Sequence, residues 1–340
     1  MLVIDGSIGE GGGQALRTSL ALSLVTSTPF RIENIRARRP RPGLMRQHLT
    51  AVNAAAAIGR ASVRGAEIGS RTLEFEPKAI IAGEHRFAVG TAGSATLVLQ
   101  TILPALLRAP SRSTIVVEGG THNPLAPPFE FFERVYLPIL RRMGANVTAS
   151  LERYGFYPSG GGCVRLDIEP CETLRAIELV ERGAAVSRRA TALVSSLPFD
   201  IARRELDAVR AQLGWSEAEC QPLVVKESAG PGNVVELEVE SEQVTELFAA
   251  FGERGVRAEL VARRVCAEVS EYLAADVPVG RHLADQLPLP FALVGGGAFV
   301  SLSASPHLDT QCAILSRFLR CEVQRIRQSE SAWRYEVRVQ

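Results

Sequence analysis

Residues 2–26 read LVIDGSIGEGGGQALRTSLALSLVT, and the fold class follows from them. LVID is a short apolar run of strand character that ends at Gly6. After the glycines, Leu16, Leu20 and Leu24 recur every four residues, which puts them on one helical face with Arg17 off it. A strand, a glycine-rich turn and an amphipathic helix in that order predict an α/β unit. The same punctuation returns twice. GGG at 160–162 lies between YGFYPS and the strand-like CVRLDIE, and GGG at 295–297 follows PFALV. Asp285 and Gln286 stand before that last apolar stretch, which reads as a strand. Three such settings predict a repeated α/β module.

Helical patterns fill the intervals. They cover residues 44–58, residues 92–108 with Ser94 as N-cap, and residues 129–144 after Pro127-Pro128, stopping at Gly144. Residues 181–276 read differently. SSLPFDIARRELDAVRAQLG (195–214) is a strand end and a helix, VVELEVES (234–241) alternates as a half-buried strand, and VRAELVARRVCAEVSEYLAA (256–275) is a long amphipathic helix. This segment predicts a smaller α/β domain inserted into a large one formed by residues 1–180 and 277–340.

The bulk composition excludes several classes. Of 340 residues, 46% are hydrophobic and 22% charged, the balance of a soluble globular chain. No run of 18 apolar residues is present, so no membrane span is expected, and MLVIDGSIGEGGG lacks the features of a signal peptide. The six cysteines form no CxxC pair and no zinc spacing, which points to reduced thiols and a cytoplasmic protein. Net charge is +1, yet only Lys78 and Lys226 among the 38 basic residues are lysines. Any chemistry that needs a lysine has two candidates.

Four elements can carry chemistry. GEGGGQ at 9–14, between a strand and a helix, has the build of an anion site, although it is neither a Walker A loop nor GxGxxG and also reads as a plain turn. Glu10 would repel a phosphate there unless a divalent metal lay between them. Arg31, Arg36, Arg38, Arg39, Arg41 and Arg46 fall within sixteen residues on a segment broken by Pro40, Pro42 and Gly43. Such a loop can converge guanidinium groups on phosphate, or it can be a solvated surface. GGTHNPLAPP (119–128) suggests a rigid pocket wall in which His122 can be a ligand or a base, with loop capping the favoured role. His307, in SPHLDT, opens a C-terminal helix.

Taken together, LVIDGSIGEGGGQALRTSLALS, IRARRPRPGLMRQHLTAV, FAVGTAGSATLVLQTILPAL, EGGTHNPLAPP, YGFYPSGGG, GPGN, HLADQLPLP and SPHLDT occur in the order found in one family. From residue 1 to about 320 the chain resembles the RNA 3'-terminal phosphate cyclases. The resemblance implies three repeated α/β units with a smaller inserted domain. It also implies ATP-dependent closure of an RNA 3'-phosphate to a 2',3'-cyclic end through a histidine–AMP intermediate. His307 is then the nucleophile and Glu10 the ligand of Mg²⁺ or Mn²⁺. Arg17, Arg36, Arg39 and Gln47 resemble the residues that serve phosphates and the RNA end. Gln100, Pro127, His282, Asp285 and Gln286 resemble the nucleotide pocket. The implied partner is an RNA 3'-phosphate end, with no membrane and no obligate protein partner.

The lysine shortage agrees with this on separate grounds. A ligase-type carrier is a lysine in KxDG, and neither EPKAII nor VVKESA fits, whereas imidazole is a nucleophile that is neutral near pH 7. Two departures stand out. His282 replaces an aromatic expected against adenine, and Gln311 replaces the asparagine of HLxTN. Two other readings compete: a non-catalytic RNA-binding relative acting in ribosome assembly, and an enolpyruvyl transferase on a related fold. Retention of Glu10, the arginines and His307 argues against the first, and the lack of lysines against the second.

Overall fold

The computed structural model describes residues 1–171 and 173–340. Its strands form four four-stranded sheets. In the first, Leu2–Asp5 pairs parallel with Phe30–Glu33, and Leu73–Glu76 and Ser62–Arg64 follow antiparallel. The second repeats this plan: Gly83–Ala88 lies parallel to Ser113–Gly119, followed by Gly162–Glu169 and Asn146–Arg153. The third does so again, with Glu178–Leu179 parallel to Gly296–Ser301, then Trp333–Val339 and Cys321–Arg327. Three sheets of one strand order and one set of pairing senses are the repeated module expected from the glycine punctuation.

The fourth sheet has a different order, Cys220–Val224, Ala185–Ser195, Gly232–Ser241, Thr245–Phe251. Its strands lie in the chain between the first two strands of the third unit. The helices Phe199–Leu213 and Ala258–Ala275 pack together against it. Val235, Leu237, Val261, Val265 and Trp215 belong to a hydrophobic cluster separate from the main core.

The helix Gln14–Thr26 buries Leu16, Leu20 and Leu24 as its four-residue spacing requires. Each such leucine contributes about 2 kcal/mol of transfer free energy. Arg46–Gly59 and Ala95–Leu106 are the next two helices, and Ser94 caps the latter by accepting from the Leu97 N–H at 3.2 Å. The segment before Gly144 is helical from Phe129 to Arg142, with a π turn at Phe132–Tyr136 just ahead of Pro138.

Two expectations are corrected. LPLPFALV is not a strand, because Pro288–Leu293 is a helix with proline in its first turn. An uninterrupted apolar run carries no period, and proline pre-sets the dihedral of a first helical turn. VVELEVES is a strand, but it is buried on both faces rather than half-buried. Val235, Leu237 and Val239 face the helices Phe199–Leu213 and Ala258–Ala275, and the face bearing Glu236 and Glu238 is covered as well. All six cysteines are free thiols, and no helix of the described residues is long and apolar enough to cross a membrane.

Candidate active site

The N-terminal loop lies on the first turn of the helix Pro306–Phe318, and the helix that follows the loop, Gln14–Thr26, packs beside Pro306–Phe318. The Glu10 N–H donates to Thr310 Oγ1 at 3.0 Å. Gly9, at φ +60°, sits so close to that hydroxyl that a Cβ would overlap it. This contact sets opposite ends of the chain against each other. Glu10 Oε1 lies 3.8 Å from His307 Nδ1.

Glu10 turns back over its own loop. Its Oε1 accepts from the Gln14 N–H at 3.2 Å, its Oε2 accepts from the Arg39 guanidinium, and its side chain is 5% exposed. Burial pushes this carboxyl up, but His307, the Gln14 N–H and Arg39 outweigh burial and hold it below its ordinary value. His307 shifts the same way for the opposite reason. Burial lowers its imidazole, Glu10 opposes this, and Arg17 and Arg39 add to the lowering. The ring is therefore neutral at pH 7, while its side chain stays 44% exposed to an incoming group.

The backbone that carries His307 is fixed from below. Ser305 caps the helix, its Oγ accepting from the His307 and Leu308 N–H groups at 3.1 and 3.0 Å, and its hydroxyl donates to Asp285 Oδ1. Burial pushes the Asp285 carboxyl up to about 7 against the pull of Ser305 and the Leu308 N–H. Asp285 thus supports the turn that carries His307, a placement that its motif did not disclose. Ser305→Ala removes the cap and frees Asp285. We expect a loss of about 1 kcal/mol of stability, read from chemical denaturation, together with slower chemistry at His307.

Basic groups surround the Glu10–His307 pair. Arg17 donates to Gln14 Oε1 at 2.8 Å, and burial draws its guanidinium down to about 10, so it remains charged at neutral pH. Arg38 donates to the Gly9 carbonyl at 3.0 Å. Arg36, at φ +54°, turns inward and donates to the carbonyls of Arg41 and Gly43 at 2.6 and 2.9 Å. It organises the arginine loop while sharing the electrostatic field of Arg39 and Glu10. Gln47 is also partly committed, since its Oε1 accepts from the Ser94 N–H at 2.7 Å.

Gln100 Nε2 donates to Gln286 Oε1 at 2.7 Å, and Gln286 Nε2 donates to the His282 carbonyl at 3.2 Å. Pro127 joins through its carbonyl, which accepts from Thr96 at 3.4 Å, one turn before Gln100. The His282 side chain is 58% exposed and lies within electrostatic reach of His307. The nucleotide-pocket candidates thus form one connected wall leading to His307.

Sequence reasoning passed over His48, Thr310 and Ser305. His48 is buried beside Gly13, where a Cβ would lie 2.5 Å from His48 Nε2 and 2.8 Å from Arg17 Nη1. Burial first, then Arg17, Arg36 and Arg39, push His48 down to about 3, so it packs as a neutral ring among cations. Only Ser305 had a readable signal: serine before proline is a common start for a helix.

A family model described as RNA 3'-terminal phosphate cyclase matches residues 8–325. An RNA 3'-terminal phosphate cyclase of Koribacter versatilis is 52% identical over 319 residues, covering 94% of this chain and 90% of its own. One of Ectopseudomonas mendocina is 48% identical over 335 residues, covering 98% and 97%. A solved structure, the enolpyruvyl transferase NikO of Streptomyces tendae, aligns at 13% identity with a TM-score of 0.39. That alignment covers 98% of this chain but 48% of NikO, and it is too loose to bear on either fold or function. By the family match and by relatives about half identical along nearly its whole length, this chain belongs to the RNA 3'-terminal phosphate cyclase family.

Proposed function

We propose that the protein uses ATP to convert the 3'-terminal phosphate of an RNA into a 2',3'-cyclic phosphodiester in the cytoplasm, with residues 181–276 acting as an inserted domain. The observation that carries the reading is the meeting of His307 Nδ1 and Glu10 Oε1 at 3.8 Å inside a ring of arginines.

In the first step the His307 imidazole attacks the α-phosphorus of ATP, an N–P bond forms, and pyrophosphate leaves. Glu10 beside Nδ1 favours the proton on that nitrogen, which leaves the Nε2 lone pair free to attack. In the second step an oxygen of the RNA 3'-phosphate attacks the adenylyl phosphorus and regenerates free His307. In the third, the vicinal 2'-hydroxyl attacks the RNA phosphorus, loses its proton, and expels AMP.

Arg17 and Arg39 neutralise phosphate charge as it shifts between these groups. Arg36 holds their loop, and Gln47 retains its amide N–H groups for the RNA end. Gln100, Pro127, His282, Asp285 and Gln286 form the nucleotide wall. Recognition of the RNA tip is by phosphate and 2'-hydroxyl, with little reading of bases. The donor set fits Mg²⁺ or Mn²⁺ as such ions bind nucleotides, through one carboxylate and the substrate phosphates, and the Glu10 carboxylate would be the protein's share. Bound there, the ion would spread charge on the triphosphate.

The test is to incubate a 3'-phosphorylated RNA with ATP and a divalent metal. The end should become resistant to phosphomonoesterase, with one AMP and one pyrophosphate released per end, and an end that stays sensitive would refute the reading. The pH dependence follows from the lowered imidazole. Because His307 titrates below the ordinary value of about 6.5, single-turnover adenylyl transfer should be level at neutral pH. It should fall only below that value, about tenfold per unit. An acid limb above pH about 6.5 would contradict the assignment.

A further inference from the structure

His122, Glu130 and Glu236 lie outside the site described above, and their ligand atoms fall within 4.8 Å of one another. They come from different places. His122 and Glu130 belong to the loop and helix start after Ser113–Gly119, whereas Glu236 projects from the central strand Gly232–Ser241 of the fourth sheet. All three are buried, at 1%, 7% and 4% exposure. His122 Nε2 is 2.7 Å from Glu130 Oε2 and 3.8 Å from Glu236 Oε1, and that last oxygen has no hydrogen-bond partner among the described residues.

The neighbouring cation is committed elsewhere. Arg134 donates to Glu238 at 3.2 Å and to Glu133 at 3.3 Å. Two buried carboxylates therefore face one imidazole. The imidazole is itself oriented by Thr121, whose Oγ1 lies 2.8 Å from His122 Nδ1 and accepts from the Gly155 N–H at 2.9 Å. In the tautomer whose Nδ1–H donates to Thr121 Oγ1, the Nε2 lone pair points at the two carboxylates. Such outer hydrogen bonds are the usual means of fixing a ligating histidine. Tyr154 stacks on the ring at 5.2 Å and Phe156 lies tilted against it at 5.4 Å, which makes the surroundings apolar.

We propose that His122, Glu130 and Glu236 form a buried site for a divalent ion of the zinc type, clasping the 119–130 loop to the strand Gly232–Ser241. Zinc bonds nitrogen and oxygen at about 2.0–2.2 Å, which sets tetrahedral ligand atoms about 3.4 Å apart. The separations of 2.7 and 3.8 Å bracket that value, so small side-chain shifts complete the cage. A second carboxylate oxygen can fill the remaining position. Binding would displace the protons that otherwise lie between His122 Nε2, Glu130 and Glu236. The site is separate from Glu10 and serves cohesion between two cores, not the reaction.

The test uses the full chain, stripped with chelator and refilled with zinc. Wild type and Glu10→Gln should each retain about one ion after dialysis and gain several degrees in Tm. Glu236→Gln and Glu130→Gln should lose both effects. X-ray absorption of the refilled wild type should show imidazole and oxygen ligands without sulfur, which decides the matter even if a variant folds poorly. Failure of wild type to hold zinc, retention by Glu236→Gln, or sulfur in the ligand shell would overturn the proposal.

Discussion

His307→Ala should lower RNA cyclisation by at least about 10³-fold, the scale of loss when a covalent nucleophile is removed. Its Tm and its affinity for ATP should barely change. The imidazole is half-exposed, and among the described residues its nitrogens take no hydrogen bond, so the ring is not holding the fold. What holds the turn is the backbone capped by Ser305 and Asp285, and alanine keeps that backbone. A variant that binds ATP, melts normally and still cyclises at more than about one-hundredth of the wild-type rate would remove His307 from the chemistry.

Gly12→Ala should lower activity by about 10²-fold, the cost of misplacing a catalytic group by about 1 Å. Gly12 does not occupy the left-handed region, so a methyl group there brings no backbone penalty. Its Cβ would instead overlap both oxygens of the Glu10 carboxylate, which lies folded over residue 12. The carboxylate would have to swing away, breaking its bonds to the Gln14 N–H and Arg39 and losing its place beside His307. The stability cost should stay near 1–3 kcal/mol, as for other overpacking changes. Single-turnover adenylyl transfer and thermal unfolding measured together separate the two effects. An active Gly12→Ala protein would mean that Glu10 need not lie where the structure has it.

The glycine has a local reason that the sequence displays without explaining. GEGGGQ between a strand and a leucine-spaced helix was legible as a close approach of backbone to some partner. That one partner is the loop's own glutamate depends on side-chain conformation and was not. The first helix was legible because its period of four is strong, and the Ser94 cap because serine before such a run satisfies free N–H groups.

LPLPFALV reads as a strand because an all-apolar run lacks a period, and Pro288 is the local pointer to the helix that forms. VVELEVES was read as half-solvated because glutamates alternate there. Nothing local reveals that Glu236 meets His122 and Glu130, or that Glu238 pairs with Arg134. Residues of the candidate active site were named through their motifs, but the sequence alone does not bring Glu10 to His307. That meeting is made by packing between the first and last long helices and by Thr310 under Gly9. His48 had no signal at all, since a neutral histidine among arginines looks like part of a basic cluster until its burial is known.

The proposed reaction rests on a covalent N–P bond between His307 and AMP. Wild-type protein would be incubated with ATP labelled at the α-phosphate and a divalent metal, denatured, and digested. The account predicts label on the peptide containing His307, lost in acid, stable in alkali, and absent from His307→Ala. No labelled protein with any divalent metal, or acid-stable label on a peptide containing Lys78 or Lys226, would contradict it.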